Sequence, residues 1–130
     1  MNFVIIHTMR KYMLKKFFLL SLFLMYSADA SELNYKIEIK HLLEYVQNTS
    51  CKYIRNGDVH DGLTAAKHIH KKYDYYNDKI HTTEDFIRLS ATKSMMFGSK
   101  YYIKCAGSAK EESAQWLLEE LERFRKQEKS

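Results

Sequence analysis

The chain has 130 residues, with 21 Lys and Arg against 16 Asp and Glu, a formal net charge of +5 and a pI near 9.1. A chain of this length forms one small domain with a limited core. Residues 1–30 contain four of the Lys and Arg and one of the Asp and Glu, so without them the net charge falls to +2. The remaining charges alternate in sign, which excludes the basic surface of a nucleic-acid-binding protein.

Residues 1–30 have the pattern of a secretory leader. Four basic residues at positions 10–16 precede the apolar run 17–26, and the small residues Ala28 and Ala30 match a signal peptidase site. We predict cleavage before Ser31, which makes 31–130 a single periplasmic or secreted domain. The alternative is an uncleaved membrane anchor, but the run has about ten residues where a spanning helix needs roughly twenty. No stable membrane span is therefore predicted after cleavage.

The first half of the exported part predicts a helix, a short strand and a second helix. Apolar residues recur on one face of residues 32–47, and a strand follows over Cys51 to Ile54. Asn56-Gly57 is a strong turn signal because both residues tolerate positive φ. The second helix is predicted from Asp61 to Asn77. Its apolar stripe consists of Ala66, Ile69, Tyr73, Tyr76 and Ile80, and a second stripe about 110° away consists of Asp61, His68, Lys72 and Tyr75.

The second half predicts a helix, a strand and a final helix. Thr82 and Asp85 form a capping box for the third helix, residues 94–98 form a loop, and Tyr101 to Cys105 alternates as a strand does. Ser108 and Glu111 predict a second capping box. The inward positions of the last helix are Ala114, Leu117, Leu118, Leu121 and Phe124. The predicted fold class is α+β, mostly helical, with about four helices and two short strands.

Cys51 and Cys105 are the only cysteines. In an oxidising compartment a lone pair of thiols usually bonds, so we predict one structural disulfide. The alternative, a catalytic thiolate with a histidine partner, has no activating pattern around either cysteine.

Polar candidates lie mostly on the second helix. His68 and Lys72 are one turn apart, and with Arg55 they predict either an anion-binding or acid–base cluster, or simply a polar helix flank. His68 and His70 point about 200° apart and cannot share a metal ion. Asp58, His60 and Asp61 match at most a loose metal site in a loop, so no metal and no cofactor is predicted.

Trp116 lies off the apolar stripe of the final helix. Such a tryptophan either marks an exposed contact surface or packs beneath the 94–100 loop.

Several ordered motifs form a recognisable series. They are the segment from Cys51 to Gly57, Ala66 with His68 and Lys72, the segment from Ile80 to Ile87, Ala91-Thr92, Ser94, Gly98, the segment from Tyr101 to Cys105, and Ser113 with Trp116-Leu117. This series resembles the YfeK-like family of small exported proteobacterial proteins, a domain of unknown function, over nearly all of residues 31–130. The resemblance implies a periplasmic protein and supplies no activity, cofactor or catalytic residue. Met95-Met96-Phe97 departs from it, because related sequences are smaller and more polar there.

The resemblance adds candidate binding residues by position rather than mechanism: Arg55, Asn56, His68, Lys72, Glu84 and Ser94, to which Trp116 is added from its offset. We predict a non-catalytic domain that binds a partner protein or a component of the cell envelope. The alternative is a small hydrolase or anion-binding protein that uses Arg55, His68 and Glu84, which requires these side chains to converge.

Overall fold

The computed structural model of the chain describes residues 31–130, so the predicted leader lies outside the described part. Residues Tyr35–Ser130 form one compact unit. The helices are α1 (residues 31–48), α2 (Gly62–Tyr75), α3 (Thr83–Ser90) and α4 (Ser113–Glu128), with one 3-10 turn at Asn77–Lys79. The strands are β1 (Lys52–Arg55), β2 (Asp58–His60), β3 (Tyr102–Lys104) and β4 (Glu111–Glu112). The predicted α+β, mostly helical class is confirmed.

The four strands form one antiparallel sheet in the order β2-β1-β3-β4. Asn56 (φ 52°) and Gly57 (φ 82°) join β1 to β2 in the two-residue hairpin that their sequence predicts. The sequence predicts two strands, whereas the described chain has four. The additional ones, β2 and β4, are three and two residues long and largely polar, so neither has a strand-like pattern of its own.

The disulfide is confirmed. Cys51 precedes β1 and Cys105 follows β3, and the bond between them continues the ladder beyond the Lys52–Lys104 pair. The loop that it closes spans 54 positions, for which chain entropy gives a stabilisation of about 4 kcal/mol. The bond therefore holds together the two central strands of the sheet.

The predicted helix starts are partly correct. Thr82 Oγ1 accepts from the Asp85 amide at 3.0 Å, as the capping box predicts, but the Asp85 carboxylate accepts from the amide of His81 at 3.2 Å rather than from that of Thr82. Asp61 is the cap of α2 and accepts from the Thr64 amide at 2.8 Å, so this helix begins one residue later than predicted.

The predicted capping box at Ser108 and Glu111 is wrong. Glu111 and Glu112 pair with Ile103 and Tyr102 in the sheet, and α4 begins only at Ser113. The local pattern is overridden because an edge of β3 is available to pair with these residues.

The core lies between the sheet and the helices. Sixteen apolar residues of the described segment are buried in it: Ile39, Leu42, Val46, Tyr53, Ala65, Ala66, Ile69, Ile80, Phe86, Ile87, Ala91, Tyr101, Ile103, Trp116, Leu117 and Leu121. Ile80 belongs to this core but follows the 3-10 turn, so the predicted stripe of the second helix continues beyond the end of α2 at Tyr75.

Trp116 is buried, with 8% of its surface exposed, and its ring stacks on Tyr45 of α1 at 4.5 Å between centroids. Its interpretation as an exposed contact surface is wrong. Leu118, predicted to face inward, is 39% exposed. The buried face of α4 includes Trp116 and Glu120, so it is rotated away from Leu118. The Glu120 carboxylate accepts from Arg123 Nε at 2.8 Å and bonds His41 of α1 at 2.6 Å.

Within residues 31–130, none of the helices has the length and apolar character required to cross a membrane.

Candidate functional site

A cleft of about 300 Å³ lies where the end of β1, the middle of α2 and the 94–98 loop meet. The residues that line it are Arg55, Asn56, His68, Lys72, Ser94, Met95, Met96 and Tyr101. Five of the seven predicted binding residues are in this list. Arg55, His68 and Lys72 of the predicted cluster therefore lie together in the cleft. Asp61 and Tyr75, the other members of the polar stripe on α2, do not line it.

Local structure positions each of these side chains. Arg55 is the last residue of β1, directly before the hairpin turn, and His68 and Lys72 are one helical turn apart on α2. Tyr101 immediately precedes β3, the neighbour of β1 in the sheet. The cleft thus depends on the pairing of β1 with β3, which the disulfide reinforces.

A chain of hydrogen bonds crosses the cleft. The Arg55 guanidinium bonds Nδ1 of His68, and His68 Nε2 lies 3.1 Å from the Tyr101 hydroxyl oxygen. A guanidinium can only donate, so Nδ1 accepts and carries no proton. The proton of the neutral ring is then on Nε2, which donates to Tyr101. The hydroxyl hydrogen of Tyr101 has no acceptor among residues 31–130 and is available to a bound group.

The surroundings keep His68 neutral. Burial lowers its pKa to about 4, and the positive charges of Arg55 and Lys72 act in the same direction. At neutral pH the uncharged ring therefore accepts a hydrogen bond from Arg55 and donates one to Tyr101. It adds no third positive charge to the cleft.

Lys72 is a buried cation. It is only 5% exposed, its ammonium donates to the Lys93 carbonyl at 2.6 Å, and it lies 5.1 Å from the centre of the Tyr101 ring. Burial lowers its pKa to about 8, assisted by the charges of Arg55 and Lys93. The ammonium form still dominates at pH 7, although the protein disfavours it.

The cleft has positive charge without a matching carboxylate. No Asp or Glu is among its lining residues, and neither Arg55 nor Lys72 forms an ion pair within residues 31–130. Buried charges in proteins are normally paired. This arrangement can accept an anionic group through two cations and the Tyr101 hydroxyl.

Ser94 and Asn56 complete the polar lining. Ser94 is 6% exposed, and its oxygen accepts from the Phe97 amide at 3.4 Å, which leaves its hydroxyl hydrogen available. The Asn56 side-chain oxygen accepts from the Ser99 hydroxyl and so links the hairpin turn to the 94–98 loop.

Glu84 is not among the residues that line the cleft. Its carboxylate accepts from Arg125 of α4 at 2.6 Å, and Arg125 also donates twice to the buried carboxylate of Glu38, at 2.8 Å each. Thr83 Oγ1 donates to Glu38 as well. The convergence of Arg55, His68 and Glu84 that a hydrolase would use is not formed by these contacts.

A metal site is not assembled in the described part of the chain. None of the His, Cys, Asp and Glu side chains between residues 31 and 130 form a group of three that could hold an ion. Asp58 and His60 belong to β2, and the Asp61 carboxylate caps α2, so the loosely matched loop site has a structural explanation.

Tyr101 is a site residue that the sequence does not predict, because the strand pattern only sets it on the same side as Ile103 and Cys105. Its side chain is buried, but its hydroxyl reaches His68. The only signal for this role was its place in the motif series, because an aromatic residue in a strand is typical of a core.

Comparison with known proteins identifies a family. The chain belongs to a family of unknown function, DUF5329, whose model matches residues 33–125. No curated protein and no solved structure matched the chain.

Proposed function

We propose that this domain is a non-catalytic binding protein that holds an anionic group, a phosphate or a carboxylate, in the cleft. The observation that carries the proposal is the pair of cations, Arg55 and Lys72, in a partly buried site without a carboxylate. A bound anion would supply the missing opposite charge.

The Lys72 ammonium is destabilised in the free protein. Desolvation disfavours its ammonium form, and the carbonyl of Lys93 supplies only a partial negative charge. An anion within hydrogen-bond distance reverses that preference, because charge-assisted hydrogen bonds are roughly twice as strong as neutral ones. Tyr101 and Ser94 can donate further hydrogen bonds, and the forked donors of Arg55 suit the paired oxygens of carboxylates and phosphates.

A catalytic role has less support. His68 has one ring nitrogen occupied by Arg55 and donates through the other, so it has no free lone pair to act as a base. Glu84, the third residue of the hydrolase alternative, forms an ion pair with Arg125 instead of approaching His68. Anion binding, one of the two functions in that alternative, fits the cleft. Hydrolysis, the other, lacks a set of residues that come together.

Export to the periplasm or the medium is part of the proposal. The leader pattern of residues 1–30 supports it, and so does the Cys51–Cys105 disulfide, since such bonds persist in oxidising compartments. The YfeK-like, proteobacterial assignment would agree with this location. Intact mass of the protein recovered from the cell envelope fraction should give an amino terminus at Ser31. A retained segment 1–30 would contradict cleavage.

Calorimetric titration with inorganic phosphate at pH 7 tests the binding function. Arg55→Met and Lys72→Met should each weaken binding about tenfold or more, as expected for a lost hydrogen bond to a charged group. Lys71→Met is the matched control, because Lys71 is the exposed neighbour of Lys72 on the same helix, and its affinity should be unchanged. Equal phosphate affinities for the wild type and the three variants would contradict the proposal. So would a wild type that binds neither inorganic phosphate nor, in a separate titration, acetate.

A further inference from the structure

The loop beside the cleft has an apolar tip. Met95, Met96 and Phe97 are 53%, 85% and 73% exposed. The loop is held closed by the Ser94 amide donating to the Ser99 carbonyl at 2.9 Å and by the Gly98 amide donating to the Ser94 carbonyl at 3.1 Å. Three consecutive apolar side chains are therefore held in water by a tightly bonded turn.

These residues differ from the other exposed apolar side chains. Between residues 31 and 130 the other large exposed apolar residues do not follow one another in sequence, and separate exposed apolar residues are common on protein surfaces. They are Leu33, Ile37, Val59, Leu63, Tyr75 and Leu118. Met95, Met96 and Phe97 are contiguous, and the two methionines also line the cationic cleft. Contiguous exposed apolar surface of this kind marks an interaction site.

Basic residues surround the base of the same loop. Lys93 and Lys100 face each other across an antiparallel bridge at the point where the loop leaves the domain. Both are exposed, and Lys100 also binds Glu112 at 2.7 Å. With Arg55 and Lys72 in the adjoining cleft, the apolar tip has positive charge on the side toward the domain.

A loop with an apolar tip and lysines at its base complements a lipid surface. Apolar side chains at the tip match the acyl boundary, and the lysines behind them match the anionic headgroup layer. Phe97 does not line the cleft, and most of the Met96 surface is open to water, which favours a soft, extended surface over a peptide held between walls.

We propose that the 93–100 loop docks the protein on a membrane surface containing anionic phospholipid, with Met96 and Phe97 inserted at the interface and the cleft holding one lipid phosphate. The second clause rests on the proposed anion-binding function, whereas the docking clause rests on the loop itself.

Co-sedimentation with vesicles tests this inference. The wild type should bind vesicles of phosphatidylglycerol in phosphatidylcholine and not vesicles of phosphatidylcholine alone. The double variant Met96→Ser/Phe97→Ser should bind about tenfold more weakly or worse, because both side chains lose their burial in the interface. The matched control is Tyr75→Ser/Leu118→Ser, which removes one exposed aromatic and one exposed aliphatic residue elsewhere and should bind as the wild type does.

The outcomes separate the two proposals. Phosphate binding by calorimetry with no vesicle binding overturns the docking inference and leaves the anion site in place. Loop-dependent vesicle binding without phosphate binding overturns the anion site and leaves the docking inference in place. Equal binding to both vesicle types, equal binding by the loop variant, or a loop-dependent dimer in light scattering without vesicle binding would each overturn the inference.

Discussion

Two groups of charged side chains in this domain are built in opposite ways. At the contact of α1, α3 and α4, Arg125 donates to the carboxylates of Glu38 and Glu84, so each charge has an opposite partner. In the cleft, Arg55 and Lys72 lie near each other with no carboxylate among the lining residues. We refer to the first group, Glu38, Glu84 and Arg125, as the paired cluster.

The pKa shifts follow this difference. Hydrogen bonds from Arg125 hold the pKa of Glu38 and of Glu84 below its ordinary value, and the two carboxylates raise the pKa of Arg125. In the cleft, burial lowers the pKa of Lys72 and His68, so their charged forms are disfavoured. The paired cluster contributes to folding, whereas the cleft costs stability that an anionic ligand would offset.

The largest expected effect comes from breaking the paired cluster. Arg125→Met removes the partner of Glu38, which is 3% exposed and would keep only Thr83 as a donor. An uncompensated buried carboxylate should lower the free energy of unfolding by about 3 kcal/mol, measured by urea denaturation at pH 7. Lys126→Met, on the exposed neighbour, should change it by less than about 0.5 kcal/mol. Equal stabilities for the two variants would remove the distinction between the clusters.

Removing the buried cation of the cleft should raise the free energy of unfolding rather than lower it. Lys72→Met eliminates a disfavoured charge, so the variant should be more stable than the wild type by about 2 kcal/mol at pH 7. The unfolded lysine titrates near 10.5 and the folded one near 8, so the wild type binds fewer protons than its unfolded state between these values. Wild-type stability should therefore rise with pH in that window, and the advantage of the variant should shrink toward pH 10.

The predicted pH dependence applies to the difference in the free energy of unfolding between the wild type and Lys72→Met. Tyr53 has a pKa raised by burial, and its unfolded form loses its proton near pH 10, so both proteins lose stability there. A loss of stability in Lys72→Met at pH 7 would mean that the ammonium supports the fold through Lys93, and the cleft would then resemble the paired cluster.

The smallest expected effect concerns His68 in mild acid. The unfolded ring takes up a proton below about pH 6.5, and the folded ring only near pH 4, so stability should fall as pH decreases through this window. With allowance for partial solvent screening, the loss between pH 6.5 and 5 should be about 1 kcal/mol. His68→Gln should show a flatter profile over this range. Parallel profiles would show that the ring is not held neutral.

The sequence predicts those parts of the cleft that depend on local geometry. The spacing of His68 and Lys72 sets them on one helix face, and Asn56-Gly57 forms the turn after Arg55. Tyr101 and Ser94 enter the cleft through strand pairing and loop closure, which join residues distant in sequence. No periodicity within one segment contains that information.

The same reason explains the errors. Glu84 was grouped with Arg55 because both belong to the motif series, yet its partner, Arg125, is 41 positions away on another helix. Trp116 was judged against the apolar stripe of its own helix, and the stacking that buries it is with Tyr45 of α1. In each case a contact between elements decided the outcome, and the pattern along one element could not reveal it.

The central claim is that Lys72 is a buried cation poised to bind an anion, and NMR titration of its side-chain ammonium tests this most directly. In the free protein its pKa should be about 8, and with saturating phosphate it should return toward the 10.5 of an ordinary lysine. The Lys71→Met variant should show the same change in the Lys72 pKa. A Lys72 pKa that stays at about 8 in phosphate would contradict the account.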